Sequence, residues 1–397
     1  MKKRFLFSKL QAHLTKKQII LIVGSRQVGK TTIMQQLNNE IKSQSKTTFF
    51  ITLEDPQIKK SFNSHPEKLF EYLPPLNKNQ KNYIFIDEIQ YLDNPSNFLK
   101  YIYDKYHSYI KLIVSGSSSF YIDKNFKDSL AGRKRLFNLA TLSFDEFLLF
   151  KDREDIIPYI NSGNMPDIYK NELNKFLYEY LIYGAYPEVV TETNIEEKKA
   201  IIKELANSYI KKDIIDSNLQ YPDLYFQIFQ IISNQIGSLF NKNTLSEILQ
   251  KSNQTIDSYL NVMKKSFHIT EIKPFYRNIS KEIRKMPKLY FNDLGLRNYF
   301  AKNFNPIGKR KDKGQLFENF VFRRFYDKYD EMDIQFWRTQ KMQEIDFIID
   351  KKSAYEVKFS EENINLKKYN YFIEKYPEIS LKLINFNNVN EIKLSQS

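Results

Sequence analysis

Residues 24 to 32 read Gly24-Ser25-Arg26-Gln27-Val28-Gly29-Lys30-Thr31-Thr32, the pattern G-x-x-x-x-G-K-[ST], directly behind the β-branched run Ile19 to Val23. Glycines at 24 and 29 let the backbone turn with its N–H groups pointing inward, and a helix starting there adds the positive end of its dipole. Together these cradle a β-phosphate. Lys30 would then bridge the β- and γ-phosphates, Thr31 would offer its hydroxyl to Mg2+, and Thr32 would support the α-phosphate side. A second apolar stretch, Tyr83-Ile84-Phe85-Ile86, runs into Asp87-Glu88. Asp87 suits the hydration shell of Mg2+, and Glu88 suits a general base that polarises water. A third, Leu112-Ile113-Val114, ends in hydroxyls from Ser115 to Ser119. Ser117 is the first candidate there to sense a γ-phosphate or water, and Ser115 the next.

Two further sets of residues bear on chemistry. In Leu130-Ala131-Gly132-Arg133, Arg133 either reaches a γ-phosphate as an arginine finger, in cis or across a subunit interface, or joins Lys134 and Arg135 in a solvated or DNA-facing basic turn. The first option leaves self-association open. Near the carboxyl end, Glu344-Ile345-Asp346-Phe347-Ile348-Ile349-Asp350 and Tyr355-Glu356-Val357-Lys358-Phe359 both alternate polar with apolar, so adjacent strands would place Asp346, Glu356 and Lys358 on one surface. The helical spacing of residues 314 to 322 brings Glu318 within reach of them. Such carboxylates can hold Mg2+ as a Lewis acid on a scissile phosphate, with Glu318, Asp346 and Glu356 as ligands and Lys358 orienting the attacking water. A solvated hairpin of alternating charge is the other reading.

The elements that must position these groups follow from the pattern. Strands at Ile19–Val23, Thr48–Leu53, Tyr83–Ile86, Leu112–Val114 and Leu136–Ala140, separated by helical stretches, predict a parallel sheet covered on both faces. Ser143-Phe144-Asp145-Glu146 is a capping box that opens the next helix, so this domain spans residues 1–150. A second domain, 151–306, reads as helical and tyrosine-rich from about 151 to 240, with a turn at Gly184-Ala185-Tyr186-Pro187. A capping box at Thr244-Leu245-Ser246-Glu247, a turn at Lys251-Ser252-Asn253 and a helix from Gln254 to Ser266 give helix-turn-helix spacing. Strands at Ile269–Phe275 and Lys288–Asn292, with Arg277, Lys281, Arg284 and Lys285 between them, complete a winged-helix pattern. A compact helical lid is the alternative. Residues 307–397 form the last domain.

Composition narrows the field. The 397 residues are enough for several cores, and 42% hydrophobic with 15% aromatic residues mark a folded chain. The absence of cysteine removes zinc ribbons, iron–sulfur clusters and thiol nucleophiles. His13, His65, His107 and His268 have no metal-ligand spacing. No apolar run is long enough to span a membrane, and the basic start breaks at Ser8-Lys9, so a cytoplasmic protein with no membrane partner is expected. The net charge of +14 fits a polyanionic partner, nucleic acid with DNA foremost, or a biased codon usage. Between Arg277 and Lys313, eleven basic residues face three acidic ones, a local excess expected to meet phosphate.

The phosphate loop, Ile86-Asp87-Glu88-Ile89-Gln90, Ser115-Gly116-Ser117, Leu130-Ala131-Gly132-Arg133 and Gly184-Ala185-Tyr186-Pro187-Glu188 together resemble the prokaryotic AAA-superfamily ATPases fused to a carboxyl-terminal domain of unknown function. The resemblance covers nearly the whole chain. It implies an AAA-type ATPase using ATP and Mg2+, with the phosphate-loop strand placed centrally in its sheet, and gives no substrate. The pattern Asp346 with Glu356-Val357-Lys358 and the helical acid Glu318 is similar to the PD-(D/E)xK restriction-endonuclease-like fold. The expectation is thus a multidomain α/β chain: an AAA-type P-loop sheet, a helical and winged-helix region, and a restriction-endonuclease-like α/β end. Its expected function is ATP hydrolysis coupled to DNA binding or processing, or an ATP-gated regulatory or signalling protein whose nuclease-like end is silent.

Overall fold

The structure is a computed structural model that describes residues 2–117, 130–162, 165–217, 219–276, 286–360 and 366–386. Internal packing divides the chain into Met1–Thr141 with Lys265–Phe267, and Leu142–Lys264 with His268–Ser397.

In the first unit, strands β1 (Ile19–Val23), β2 (Thr48–Thr52), β3 (Asn82–Asp87), β4 (Ile110–Gly116) and β5 (Lys134–Asn138) form a parallel sheet of order β2-β3-β4-β1-β5. Every residue of β1, β3 and β4 is buried, which explains their near-continuous apolar runs, while the edge strands β2 and β5 are partly exposed. The fifth strand lies two residues earlier than its apolar residues suggest, because Lys134 pairs in register with Ile19. The phosphate-loop strand is internal, between β4 and β5. Lys111 interrupts the apolar run of β4. Its ammonium donates to the carbonyls of His13 (3.0 Å), Lys16 (2.7 Å) and Gln18 (2.5 Å), closing the turn that leads into β1, and burial pulls its pKa down to about 7.

The second unit opens with helix Phe144–Phe150, capped by the reciprocal Ser143–Glu146 bonds that the sequence predicts. Helices Asp167–Tyr183, Pro187–Thr191, Ile195–Glu204 and Pro222–Ser233 follow. At the Gly184 turn, φ is +73° and an added Cβ would lie 2.3 Å from the Asp293 carboxylate. That carboxylate, fully buried, accepts from the amides of Ala185 (2.7 Å) and Leu296 (2.9 Å), fastening the turn to helix Leu294–Phe300.

Helices Lys242–Leu249 and Asn253–Lys265 keep helix-turn-helix spacing. The first starts earlier than expected, because the Asn241 carboxamide accepts from the amides of Asn243 and Thr244 and takes the capping position expected of Thr244. Strands β6 (Ile269–Pro274) and β7 (Lys288–Phe291) pair as an antiparallel hairpin. The loop bearing Arg277, Lys281, Arg284 and Lys285 lies outside the described residues. The hairpin is not a free wing: the other edge of β6 pairs in parallel with β8 (Ile334–Arg338), and with β9 (Glu344–Ile349), β10 (Ser353–Val357) and β11 (Ser380–Ile384) the strands form one mixed sheet of order β11-β10-β9-β8-β6-β7. The sheet therefore crosses the division expected at residue 306.

Candidate functional site

The phosphate loop joins β1 to helix Lys30–Ser43. Gly24 has no room for a side chain, since a Cβ there would sit 1.9 Å from the Leu139 carbonyl oxygen, and Gly29 turns at φ +96°, which only glycine adopts freely. Gln27, between them, also lies in the left-handed region at φ 58°. Ser25 and Val28 are buried and Gln27 is exposed. The Lys30 ammonium, itself buried, donates to the carbonyls of Gly24 (3.0 Å) and Ser25 (2.7 Å) within this turn. Thr32 follows on the first turn of the helix, partly exposed.

Behind the loop, side chains from the start of this helix and from the ends of β3 and β4 form one chain of hydrogen bonds. The Thr31 hydroxyl donates to Asp87 Oδ2 at 2.7 Å, the Ser115 hydroxyl donates to Asp87 Oδ1, and the Glu88 amide donates to Ser115 Oγ at 3.0 Å. These fix the Asp87 carboxylate and the backbone of Glu88, which sits at φ 58° and so turns away from the line of β3. Gln90 donates to the Glu88 carboxylate and to Ser117 Oγ (2.8 Å), and accepts from the Ser117 amide at 3.2 Å. Arg26 lies beside the Tyr91 hydroxyl, whose pKa is raised chiefly by burial.

This arrangement fits a triphosphate with Mg2+. Gly24 and Gly29 shape a cradle that a Cβ at residue 24 would obstruct, and the Thr31 hydroxyl and Asp87 carboxylate are the hard oxygen ligands Mg2+ takes. Sequence reasoning found the loop, Asp87, Glu88 and Ser117, and ranked Ser115 second. The structure gives Ser115 the direct bond to Asp87 and attaches Ser117 to Gln90. Gln90, which joins this network, has no role assigned to it from sequence beyond its place in the Ile86–Gln90 motif, since a lone glutamine after an acidic pair gives no signal of its own. Ser118 and Ser119 lie outside the described residues.

Arg133 does not approach this loop within its own sheet. It precedes β5, its carbonyl accepts from the Ile19 amide (2.8 Å) at the start of β1, and the strands are parallel, so it lies at the amino end while the loop leaves the carboxyl end. Five residues of strand, about 16 Å, separate the two. Its guanidinium pairs with both oxygens of Asp104, at 2.6 and 3.2 Å. Of the alternatives open to Arg133, action in cis within this sheet does not fit this placement.

The carboxyl-terminal residues do converge. Asp346 on β9 and Glu356 on the adjoining β10 are buried beside the half-buried Glu318 from helix Lys313–Tyr326, and Lys358 pairs with Glu356 at 2.7 Å. Sequence reasoning placed Lys288 in the wing, but its side chain is 1% exposed and its ammonium lies 2.6 Å from Glu344, 3.2 Å from Glu318 and 3.7 Å from Asp346. Burial opposes that charge, but the three carboxylates outweigh it and hold the ammonium protonated. Tyr290 donates to Glu318 at 2.6 Å, and the Val357 amide donates to Asp346 at 2.8 Å. Burial, with Glu318 and Glu356 nearby, pushes the Asp346 carboxyl up to about 8. Among the described residues, no three acidic or histidine side chains are arranged to hold a metal ion, so the expected Glu318, Asp346 and Glu356 cage is corrected to a cluster neutralised by lysine.

The basic excess from Arg277 to Lys313 is also partly internal. Arg297 and Arg310 are buried and both pair with Asp312, at 2.5 and 2.7 Å, while Lys302, Lys309, Lys311 and Lys313 are exposed. No helix among the described residues is long and apolar enough to cross a membrane.

The parallel sheet, the phosphate loop and the Asp87-Glu88 strand end give the first unit a P-loop architecture similar to that of AAA domains. Residues 16–148 match the family model described as an AAA domain, and residues 174–306 and 313–394 match two models described as domains of unknown function, DUF8612 and DUF4143. An uncharacterised protein of Methanocaldococcus jannaschii is 27% identical over 393 residues, covering 95% of this chain and 84% of its own. One of Haemophilus influenzae is 24% identical over 338 residues, covering 80% and 78%. Among solved structures, AMPPCP-bound DnaA from Aquifex aeolicus is similar at a TM-score of 0.30 and 12% identity, covering 65% of this chain and 86% of that one.

Proposed function

We propose that this protein is a Mg2+-dependent ATPase that couples ATP hydrolysis to DNA binding. The observation that carries the reading is the bond from Thr31 through Asp87 to Ser115 and the Glu88 amide. It holds a phosphate-loop hydroxyl, a carboxylate and a candidate base in one rigid group before any substrate arrives, as catalysis by positioning requires. In this reading Lys30 turns from the loop carbonyls to the phosphates, Thr31 and Asp87 hold the metal, and Glu88 takes the proton of the attacking water. Gln90, bonded to both Glu88 and Ser117, orients that carboxylate. Bound Mg2+ supplies neutralisation of charge on the transferring phosphoryl group. Support for DNA comes from the helix pair Lys242–Leu249 and Asn253–Lys265 and the exposed lysines at 302, 309, 311 and 313. Glu88→Gln is expected to keep ATP binding and lower turnover by about 100-fold or more, and DNA is expected to stimulate the wild type. Unchanged turnover in Glu88→Gln removes that residue as the base, and turnover indifferent to DNA removes the coupling.

A second observation bears on the carboxyl-terminal cluster. Lys288 sets an ammonium against Glu318 and Asp346, two of the carboxylates that the expected nuclease chemistry would give to a metal ion, which supports a catalytically silent domain of regulatory use. Supercoiled plasmid incubated with wild type in Mg2+ or Mn2+ is expected to stay intact. Nicking that disappears in Asp346→Ala and Lys358→Ala would restore metal-dependent cleavage.

A further inference from the structure

The amino-terminal residues 2–12 are strapped to the phosphate-loop helix. Gln36 donates to the Lys2 carbonyl (3.1 Å), Lys3 pairs with Glu40 (2.7 Å), Gln11 donates to the same Glu40, and Phe7 and Leu10 are buried. Within this strap Arg4 is 7% exposed, and its guanidinium spans two parts of the unit. One nitrogen donates to the Val28 carbonyl in the phosphate loop at 2.8 Å. Another donates to the carbonyls of Ala140 at 2.9 Å and Thr141 at 3.3 Å. The same two segments meet again without Arg4: the Leu139 amide donates to the Val23 carbonyl at 2.7 Å, and Gly24 lies directly against the Leu139 carbonyl.

We infer that Arg4 is a positioning residue that ties the phosphate loop to residues 140 and 141, so that nucleotide in the loop is reported at the last residues of the ATP-binding unit. A guanidinium is planar with its donors at fixed angles, so acceptors on opposite edges cannot shift independently without breaking a bond. The Val28 carbonyl lies between Gln27 and Gly29, both at positive φ, in the part of the loop that must adjust when phosphate accepts its amides. Any such adjustment pulls on the carbonyls of Ala140 and Thr141 through one rigid group whose stem the strap holds still. A lysine at residue 4 keeps the charge but donates from one point, so it lacks the fixed spacing of two guanidinium nitrogens that holds the two sets of acceptors apart.

This inference rests on the nucleotide reading above, and the test separates the two. Full-length protein is assayed for binding of a fluorescent ATP analogue, for ATP turnover, and for hydrogen exchange in a peptide covering residues 136–142, with and without saturating nucleotide. In the wild type, nucleotide is expected to slow exchange in that peptide. In Arg4→Met, KM for ATP is expected to rise about tenfold, within the range of coupling energies between linked sites, with kcat changed less, and the peptide to stop responding even when the site is filled. Arg4→Lys is expected to lose the response as well while keeping a wild-type melting temperature, which separates positioning from folding. A wild-type peptide unmoved by nucleotide whose binding is measured overturns the inference and leaves the ATP reading standing. An Arg4→Lys protein that responds like the wild type also overturns it. Absence of nucleotide binding in the wild type overturns both.

Discussion

Asp346 carries a pH signature that stability measurements can read. Its folded-state carboxyl is pushed from 3.8 up to about 8, first by burial and then by the neighbouring Glu318 and Glu356, against the opposing pull of Lys288 and the Val357 amide. The folded protein therefore binds a proton there that the unfolded chain has released once pH passes about 4. Stability from this group is fully present below that value and is lost as pH rises through about 8. Asp327, raised by burial to about 6, completes its titration earlier. Urea midpoints measured from about pH 6.5 to 8.5 are expected to fall in the wild type and to fall less in Asp346→Asn. An equal fall in both would mean that Asp346 is ionised throughout. None of this was readable from residue type: alternation placed Asp346 and Glu356 side by side, but Lys288 is 58 residues upstream and carries no local mark of its destination.

Single elements are fixed by a few buried polar bonds as much as by apolar pattern. Asp293 holds the Gly184 turn and the start of helix Leu294–Phe300 through two buried amides. Asp293→Ala leaves both without an acceptor and is expected to cost about 2–4 kcal/mol in urea unfolding, given about 1–3 kcal/mol for each orphaned buried group. Asp293→Asn keeps one acceptor and is expected to cost less. A loss below about 1 kcal/mol in the alanine variant would show that the turn is held by packing alone. The three inner strands were legible because burial on both faces writes a near-continuous apolar run, whereas the partly exposed edge strand β5 was read two residues late, and the Ser143 cap was legible because its partner is three residues away. The start of helix Lys242–Leu249 was misread because two capping signals overlap, and Asn241 is the one that bonds.

For the whole molecule, two compact units predict two unfolding transitions rather than one. MgATP at about one hundred times its Kd stabilises the unit that binds it by about 2.7 kcal/mol. Calorimetry is therefore expected to show one transition moving upward and the other staying in place, and a single transition shifting as a whole would mean that the chain unfolds as one body. Net charge was the least informative guide at this scale, because Lys288, Arg297 and Arg310 are spent on internal carboxylates. The pairing of β6 with β8 across the division expected at residue 306 was not legible, because nothing in residues 269–274 announces a partner some sixty positions downstream.

That pairing of β6 with β8 constrains how such genes can be rearranged. A recombinant that inherited residues 313–394 without 269–291 would encode β8 with a bare backbone edge, a template for intermolecular pairing. It would also lose the ammonium that keeps Glu318 and Glu344 from repelling one another. The two stretches therefore belong to one sheet, and a chain cut upstream of residue 269 is expected to keep the pairing that a cut near 306 destroys.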